Sequence, residues 1–138
     1  MSTAAERTLT VLVYSDDAAV RAAVIAALGR RPAADLPLVE YLEFATEPAL
    51  IRRLEQGGVD LAVLDGEAVP SGGMGISRRM KNEIYAAPPV LLLTGRRDDA
   101  WLATWSQADA VVPHPIDPVL LARAAAALLR PRLAVTGS

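Results

Sequence analysis

The sequence predicts an α/β fold built on a parallel sheet with helices on both faces, and three observations predict it. Short apolar runs recur along the chain, each followed by an amphipathic stretch at helical spacing. Most of these runs are apolar throughout rather than alternating, as strands covered on both faces are. At 138 residues and 52% hydrophobic, the chain can build one well-buried core and is too short for two ordinary domains.

The first run, Thr10 to Ser15 (TVLVYS), is rich in β-branched residues and ends at Asp16-Asp17. Val20, Val24 and Leu28 follow at spacings of four, beside Ala23 and Ala27, and Gly29 stops the pattern. That is a strand and then a helix, with Asp17 as the expected cap. The second unit, Leu38 to Ala45 (LVEYLEFA), is more polar and suits a sheet edge. Thr46 starts its helix, with Pro48 in the first turn and Gly57-Gly58 beyond the end.

The third run, Val59 to Leu64 (VDLAVL), delivers Asp65 at its end. Gly66 to Gly75 follows. The spacing of Gly72, Gly73 and Gly75 fits neither GxxxxGK[ST] nor GxGxxG, so a flexible loop is expected there rather than a phosphate cradle. A helix then runs to about Tyr85, and Pro88-Pro89 punctuates before the fourth strand, Val90 to Thr94 (VLLLT). Asp98 or Asp99 can cap a short helix carrying Trp101 and Trp105. Ala110 to Pro113 is the fifth strand, and Asp117-Pro118 opens a last helix ending near Arg130-Pro131.

Composition removes several function classes. The formal net charge of −2 gives no electrostatic reason to expect nucleic acid or an anionic membrane. The arginine pairs 30–31, 52–53, 78–79 and 96–97 are scattered, as solvated helix ends are. With no cysteine there is no disulfide or thiolate chemistry, and with His114 as the only histidine a zinc site is disfavoured. Residues 1–10 lack a signal-peptide pattern, and no apolar run approaches the roughly 20 residues that span a bilayer. The expected setting is cytoplasmic.

In open parallel sheets, reaction sites lie beyond the carboxyl ends of the strands, where strand order switches. The residues at those ends are Ser15, Asp16, Asp17, Asp65, Thr94 and His114, the most chemically capable in the chain. A hydrolytic triad of Ser15, His114 and an aspartate is disfavoured because no GxSxG elbow exists.

On these residues the chain resembles the receiver domain of bacterial two-component response regulators, from about Thr8 to Arg130. The resemblance implies a flavodoxin-like (βα)5 fold, a doubly wound five-stranded parallel sheet in the order 2-1-3-4-5. Residues 8–131 would form the domain, with 1–7 and 132–138 as flexible termini. It makes Asp65 the phosphate acceptor and Thr94 the hydroxyl that bonds the phosphoryl group. Asp16 becomes the acid that ligates Mg²⁺, with Asp65 and the backbone carbonyl of Glu67 beside it. Arg21 falls where a family arginine often lies, and Pro115 matches a proline whose preceding peptide bond is commonly cis.

The pattern also departs from the family. Ser15 stands where the first acid should be, and His114 stands at the lysine position. Lys81 is the only lysine, and it is predicted mid-helix in the third unit. Pro70 comes one residue late, and Val111 occupies the usual place of a switching aromatic. Ser15 leaves a group able to bond a metal-bound water, so a weakened Mg²⁺ site is expected. Losing the lysine matters more: a fixed charge at ~4 Å contributes roughly 4 kcal/mol at an effective dielectric near 20, against about 1 kcal/mol for a neutral hydrogen bond. His114 is either a spacer left by that loss or a group that makes the phosphoryl or Mg²⁺ response pH-dependent.

The resemblance implies a non-enzymatic signalling module that accepts phosphate on Asp65 from a sensor histidine kinase or phosphotransfer protein. Output would pass to a downstream protein, or to a homodimer partner, through the fourth helix, fifth strand and fifth helix. Trp101 and Trp105 share one face of that fourth helix. No DNA-binding unit fits into PRLAVTGS after Arg130, so direct DNA binding is not expected. Ser15, His114 and Val111 favour an alternative, a degenerate pseudo-receiver acting as a phosphorylation-independent adaptor or regulatory subunit. A small flavodoxin-like enzyme or nucleotide binder is a third reading, against which the missing phosphate-binding motif argues.

Overall fold

The structure is a computed structural model that describes residues 8–69, 71–95 and 104–136, with side chains as far as Leu133. Its elements run β1 (Leu9–Tyr14), α1 (Ala18–Leu28), β2 (Val39–Phe44), α2 (Glu47–Glu55), β3 (Leu61–Asp65), α3 (Gly73–Glu83), β4 (Val90–Thr94), β5 (Ala110–Pro113) and α4 (Pro118–Thr136). Five parallel strands form one sheet in the order β2-β1-β3-β4-β5, the flavodoxin-like arrangement expected from the sequence.

Period-two alternation along the strands feeds two cores. Val11, Val13, Leu61, Val63, Leu91 and Leu93 face α1 and α4, meeting Val24, Leu28, Leu121, Ala125 and Leu129. Leu12, Tyr14, Ala62, Leu64, Val90 and Leu92 face α2 and α3, meeting Leu50, Leu54, Ile76 and Met80. Each fully buried Leu or Val contributes on the order of 1.5–3 kcal/mol, so the central strands are the least replaceable part of the chain. The half-polar β2 is an edge strand, as its composition predicts.

Several local predictions hold. Asp17 caps α1, its Oδ1 accepting from Ala19 N at 2.8 Å, and Gly29 ends the helix at φ 62°. Thr46 stands at the start of α2 with Pro48 in the first turn, although its side chain makes no cap bond. Asp117 Oδ1 accepts from Val119 N and Leu120 N at 3.0 and 3.3 Å, opening α4.

Two boundaries differ. Gly73 and Gly75 lie inside α3 rather than in a flexible loop. A β-carbon on Gly73 would stand 2.8 Å from the Asp65 carbonyl oxygen, so this glycine exists for close packing of α3 on the end of β3. The last helix does not end at Pro131 but continues to Thr136, so the boundary at 131 falls within it. Beyond the proline, Arg132 Nε lies 3.5 Å from Asp60 Oδ1, an ion pair that ties this stretch to the start of β3. The expected helix with Trp101 lies mostly outside the described residues. Of it, residues 104–106 are helical, and Trp105 is 46% exposed with the Arg78 guanidinium 4.8 Å from its ring centroid.

Candidate functional site

Strand register brings the candidate residues together. Tyr14 pairs with Leu64, so Ser15 follows beside Asp65; Asp65 pairs with Leu93, so Thr94 follows on its other side. His114 N donates to the Thr94 carbonyl at 2.7 Å, extending the β4–β5 ladder one residue past Pro113. The His114-Pro115 peptide bond is cis, as the resemblance implies. Ser15, Asp65 and Thr94 are buried, while Asp16 and Asp17 are exposed at the rim.

Asp65 is 3% exposed, and three donors hold its carboxylate. Ser15 Oγ donates to Oδ2 at 2.8 Å, and Glu67 N donates to Oδ1 at 2.9 Å. His114 Nε2 lies 3.2 Å from the same Oδ1. Bonds to a charged acceptor contribute about 1.5–3 kcal/mol each and offset part of the desolvation of a buried carboxylate. Both residues that depart from the family pattern thus contact the Asp65 carboxylate, and Ser15 Oγ also accepts from Asp17 N at 3.0 Å.

Asp16 turns to the loop after β3, where its Oδ1 accepts from Val69 N at 3.1 Å. Tyr14 holds the same loop by donating to the Ser71 carbonyl at 2.6 Å. Burial raises the Tyr14 phenol pKa above its ordinary value, and the negative charges of Glu47, Asp16 and Asp65 add to that. Arg21 does not reach the carboxylates. Its Nη1 donates to the Ser15 carbonyl at 2.6 Å, and its Nε pairs with Glu43 at 3.1 Å. Lys81 lies in the last turn of α3 rather than mid-helix, and it pairs with Asp109 at 2.6 Å, outside the lining of this pocket.

These residues line a cleft of about 310 Å³, formed by Asp16, Asp17, Val20, Asp65, Glu67, Gly95 and His114. No lysine or arginine belongs to that lining among the described residues. Nor do three Asp, Glu or His side chains converge closely enough there to hold a cation by themselves. Exposed Asp16 and buried Asp65 offer hard oxygen donors of the kind that suit Mg²⁺, an ion that keeps several waters and takes one or two carboxylates. Sequence reasoning missed the place of the Glu67 side chain, which lies over Gly95 at the mouth of the cleft. The glycine at 95 is the one signal that could have pointed to it. Pro70, Trp101 and the arginines at 96 and 97 lie outside the described residues.

The chain is 55% identical over 122 residues to an uncharacterized response regulatory protein of Mycobacterium tuberculosis, covering 88% of this chain and 92% of that one, and the version in a second strain matches equally. No family model matches the sequence. Among solved structures, a two component transcriptional regulator AraC from Clostridium phytofermentans superposes with a TM-score of 0.74 at 18% identity, over 94% of this chain and 98% of that one. The signal receiver domain of a histidine kinase from Syntrophus aciditrophicus gives 0.72 at 20% identity, over 87% and 89%. A CheY-like receiver domain protein from Methanospirillum hungatei gives 0.67 at 19%, over 87% and 93%. At such identities the structures speak for the fold, and the mycobacterial relatives speak for the family. With its sheet order and its buried Asp65 at the end of β3, the chain belongs to the response regulators of two-component signalling, as a receiver domain.

Proposed function

We propose that this receiver accepts a phosphoryl group on Asp65 and signals through protein–protein contacts. The observation that carries the reading is the setting of Asp65. It is a buried carboxylate at the carboxyl end of the central strand, oriented by Ser15, Glu67 N and His114, and it opens into a cleft shared with Asp16. Phosphoryl transfer needs positioning and charge neutralisation more than covalent help from the protein. An Asp65 oxygen forms the new bond to phosphorus as the donor's bond breaks, and the leaving group of a phosphohistidine donor is the imidazole. The donor is a sensor histidine kinase or phosphotransfer protein.

Asp16, Asp65 and the Glu67 carbonyl would hold Mg²⁺, which when bound neutralises charge between acceptor and phosphoryl group. Thr94, buried beside Asp65, offers its hydroxyl to a phosphoryl oxygen. His114 Nε2, already within reach of Asp65, takes the station of the family lysine with a shorter side chain. Output passes to a downstream protein across the surface of Trp105, β5 and α4, where Val111 is 40% and Leu120 44% exposed.

One observation favours the second reading, a phosphorylation-independent adaptor: the only lysine is engaged with Asp109, and the cleft lining carries no fixed positive charge among the described residues. Incubation with Mg²⁺ and a small phosphodonor, followed by intact mass and peptide mapping, separates the two. The phosphoacceptor reading expects one acyl phosphate, on Asp65, that is lost in Asp65→Asn. No adduct leaves the adaptor, and the same adduct in Asp65→Asn puts the chemistry elsewhere.

A further inference from the structure

The Glu67 side chain is the feature of the cleft that the roles above do not use. Its backbone is committed, with the N–H on Asp65 Oδ1. Its carboxylate lies against the α-carbon of Gly95, so closely that a methyl group at position 95 would overlap it. Gly95 directly follows Thr94, so this carboxylate stands over the end of β4 at the entrance to Asp65. Asp16, Asp17 and Asp65 line the same cleft, and among the described residues His114 is the one nitrogen-bearing side chain of the lining.

We infer that Glu67 is a charge gate for the acceptor site, seated by Gly95, that favours entry of a divalent cation and opposes a free anionic phosphodonor. The inference rests on the phosphoacceptor reading and adds a discrimination between donors. A small acyl phosphate brings its own negative charge into a cleft that holds several carboxylates and, among the described residues, no fixed cation. Coulomb repulsion from Glu67 raises the barrier to its approach, and attraction by the same group draws in Mg²⁺ or Mn²⁺. A phosphohistidine carried on a protein surface can bring neutralising groups with it, so the gate penalises it less. Because Glu67 is exposed, the effect is screened by salt.

Two variants perturb the gate by different routes. Glu67→Gln removes the charge and keeps the shape; Gly95→Ala keeps the charge and pushes the side chain off its seat. In each, Mn²⁺ affinity is measured by calorimetry, and Asp65 labelling by acetyl phosphate is followed by mass spectrometry with saturating Mg²⁺. In labelling, an Asp65 oxygen attacks phosphorus and acetate departs with the electron pair of the broken P–O bond. Thermal melts establish that each variant is folded.

The gate predicts opposite signs: Mn²⁺ binds roughly 3- to 10-fold more weakly in both variants, while labelling at low salt speeds up by a similar factor. Both differences shrink as salt rises to about 1 M, which a purely structural role of Glu67 would not produce. Unchanged affinity and rate in Glu67→Gln, or Mn²⁺ affinity and labelling rate that rise or fall together, overturn the gate. If no variant is ever labelled, the phosphoacceptor reading fails and the Mn²⁺ measurement alone decides the gate. If Mn²⁺ binds to none, labelling decides it, and failure of both overturns it.

Discussion

Two aspartates bracket the central strand, and they live under different rules. Asp60, just before β3, is 6% exposed; its Oδ2 accepts from Thr10 N at 2.9 Å, and its Oδ1 faces Arg132 at 3.5 Å. Asp65, the last residue of β3, is 3% exposed and is held by a hydroxyl, a backbone N–H and an imidazole. The first has a permanent cation and ties the end of the chain to the sheet. The second has donors but, among the described residues, no permanent cation, which leaves its charge available to an ion or an electrophile. Burial is the same at both ends of the strand. What differs is whether the charge is spent on the fold.

The largest expected effect on stability is at the structural end. Asp60→Ala orphans Thr10 N and removes the carboxylate that faces Arg132, and should cost about 2–4 kcal/mol in urea denaturation. A loss under 1 kcal/mol would mean that Asp60 is no anchor. Next comes Gly73→Ala, whose added methyl meets the Asp65 carbonyl oxygen at 2.8 Å and should cost about 1–3 kcal/mol. That outcome would show the functional end to be sterically tight even where it is electrostatically open. Asp65→Asn should fall within about 1 kcal/mol of wild type, in either direction, because it removes a buried charge that lacks a permanent partner. A large loss there would erase the contrast.

The smallest effect is a titration. Tyr14 ionises above its ordinary range through burial and through Glu47, Asp16 and Asp65. Asp65→Asn should therefore lower the Tyr14 value in an ultraviolet titration, while Asp60→Ala leaves it in place. Tyr41, pushed up to about 12 by burial, gives the same direction of pH response. For both, the unfolded chain ionises near pH 10 while the folded chain stays protonated. Their contribution to stability is thus complete below pH 10 and is lost as pH climbs through the folded values. Tyr41→Phe should flatten that decline between pH 10 and 12.

Most of this was legible in the sequence, for local reasons. The apolar runs 90–94 and 110–113 are the observed strands residue for residue, and Asp17 caps α1 as a side chain two positions from a free N–H can. Asp65, Asp16, Thr94 and His114 stand out in the sequence because parallel sheets put chemistry at strand ends. What stayed hidden is non-local. The glycine at 73 looked like loop material because its constraint is the carbonyl of Asp65, brought there by the return of the chain. Pro131 looked like a stop because its helix is tied by Arg132 to Asp60, distant in sequence. The bond from Ser15 to Asp65 spans 50 positions and depends on register, which residue type alone does not carry. The seat of the Glu67 carboxylate is the space over Gly95, which sequence spacing does not carry.

The amide of Glu67 reports on the acceptor most directly, because its N–H donates to Asp65 Oδ1. Its ¹H–¹⁵N resonance should be followed as Mg²⁺ and beryllofluoride, a phosphoryl mimic that binds carboxylates, are added. The account predicts a saturating shift of the Glu67 amide, together with Gly66 and Thr94, that needs both reagents and is absent in Asp65→Asn. An unmoved Glu67 amide at saturating reagent, or the same shift in Asp65→Asn, would contradict the assignment of Asp65 as the phosphate acceptor.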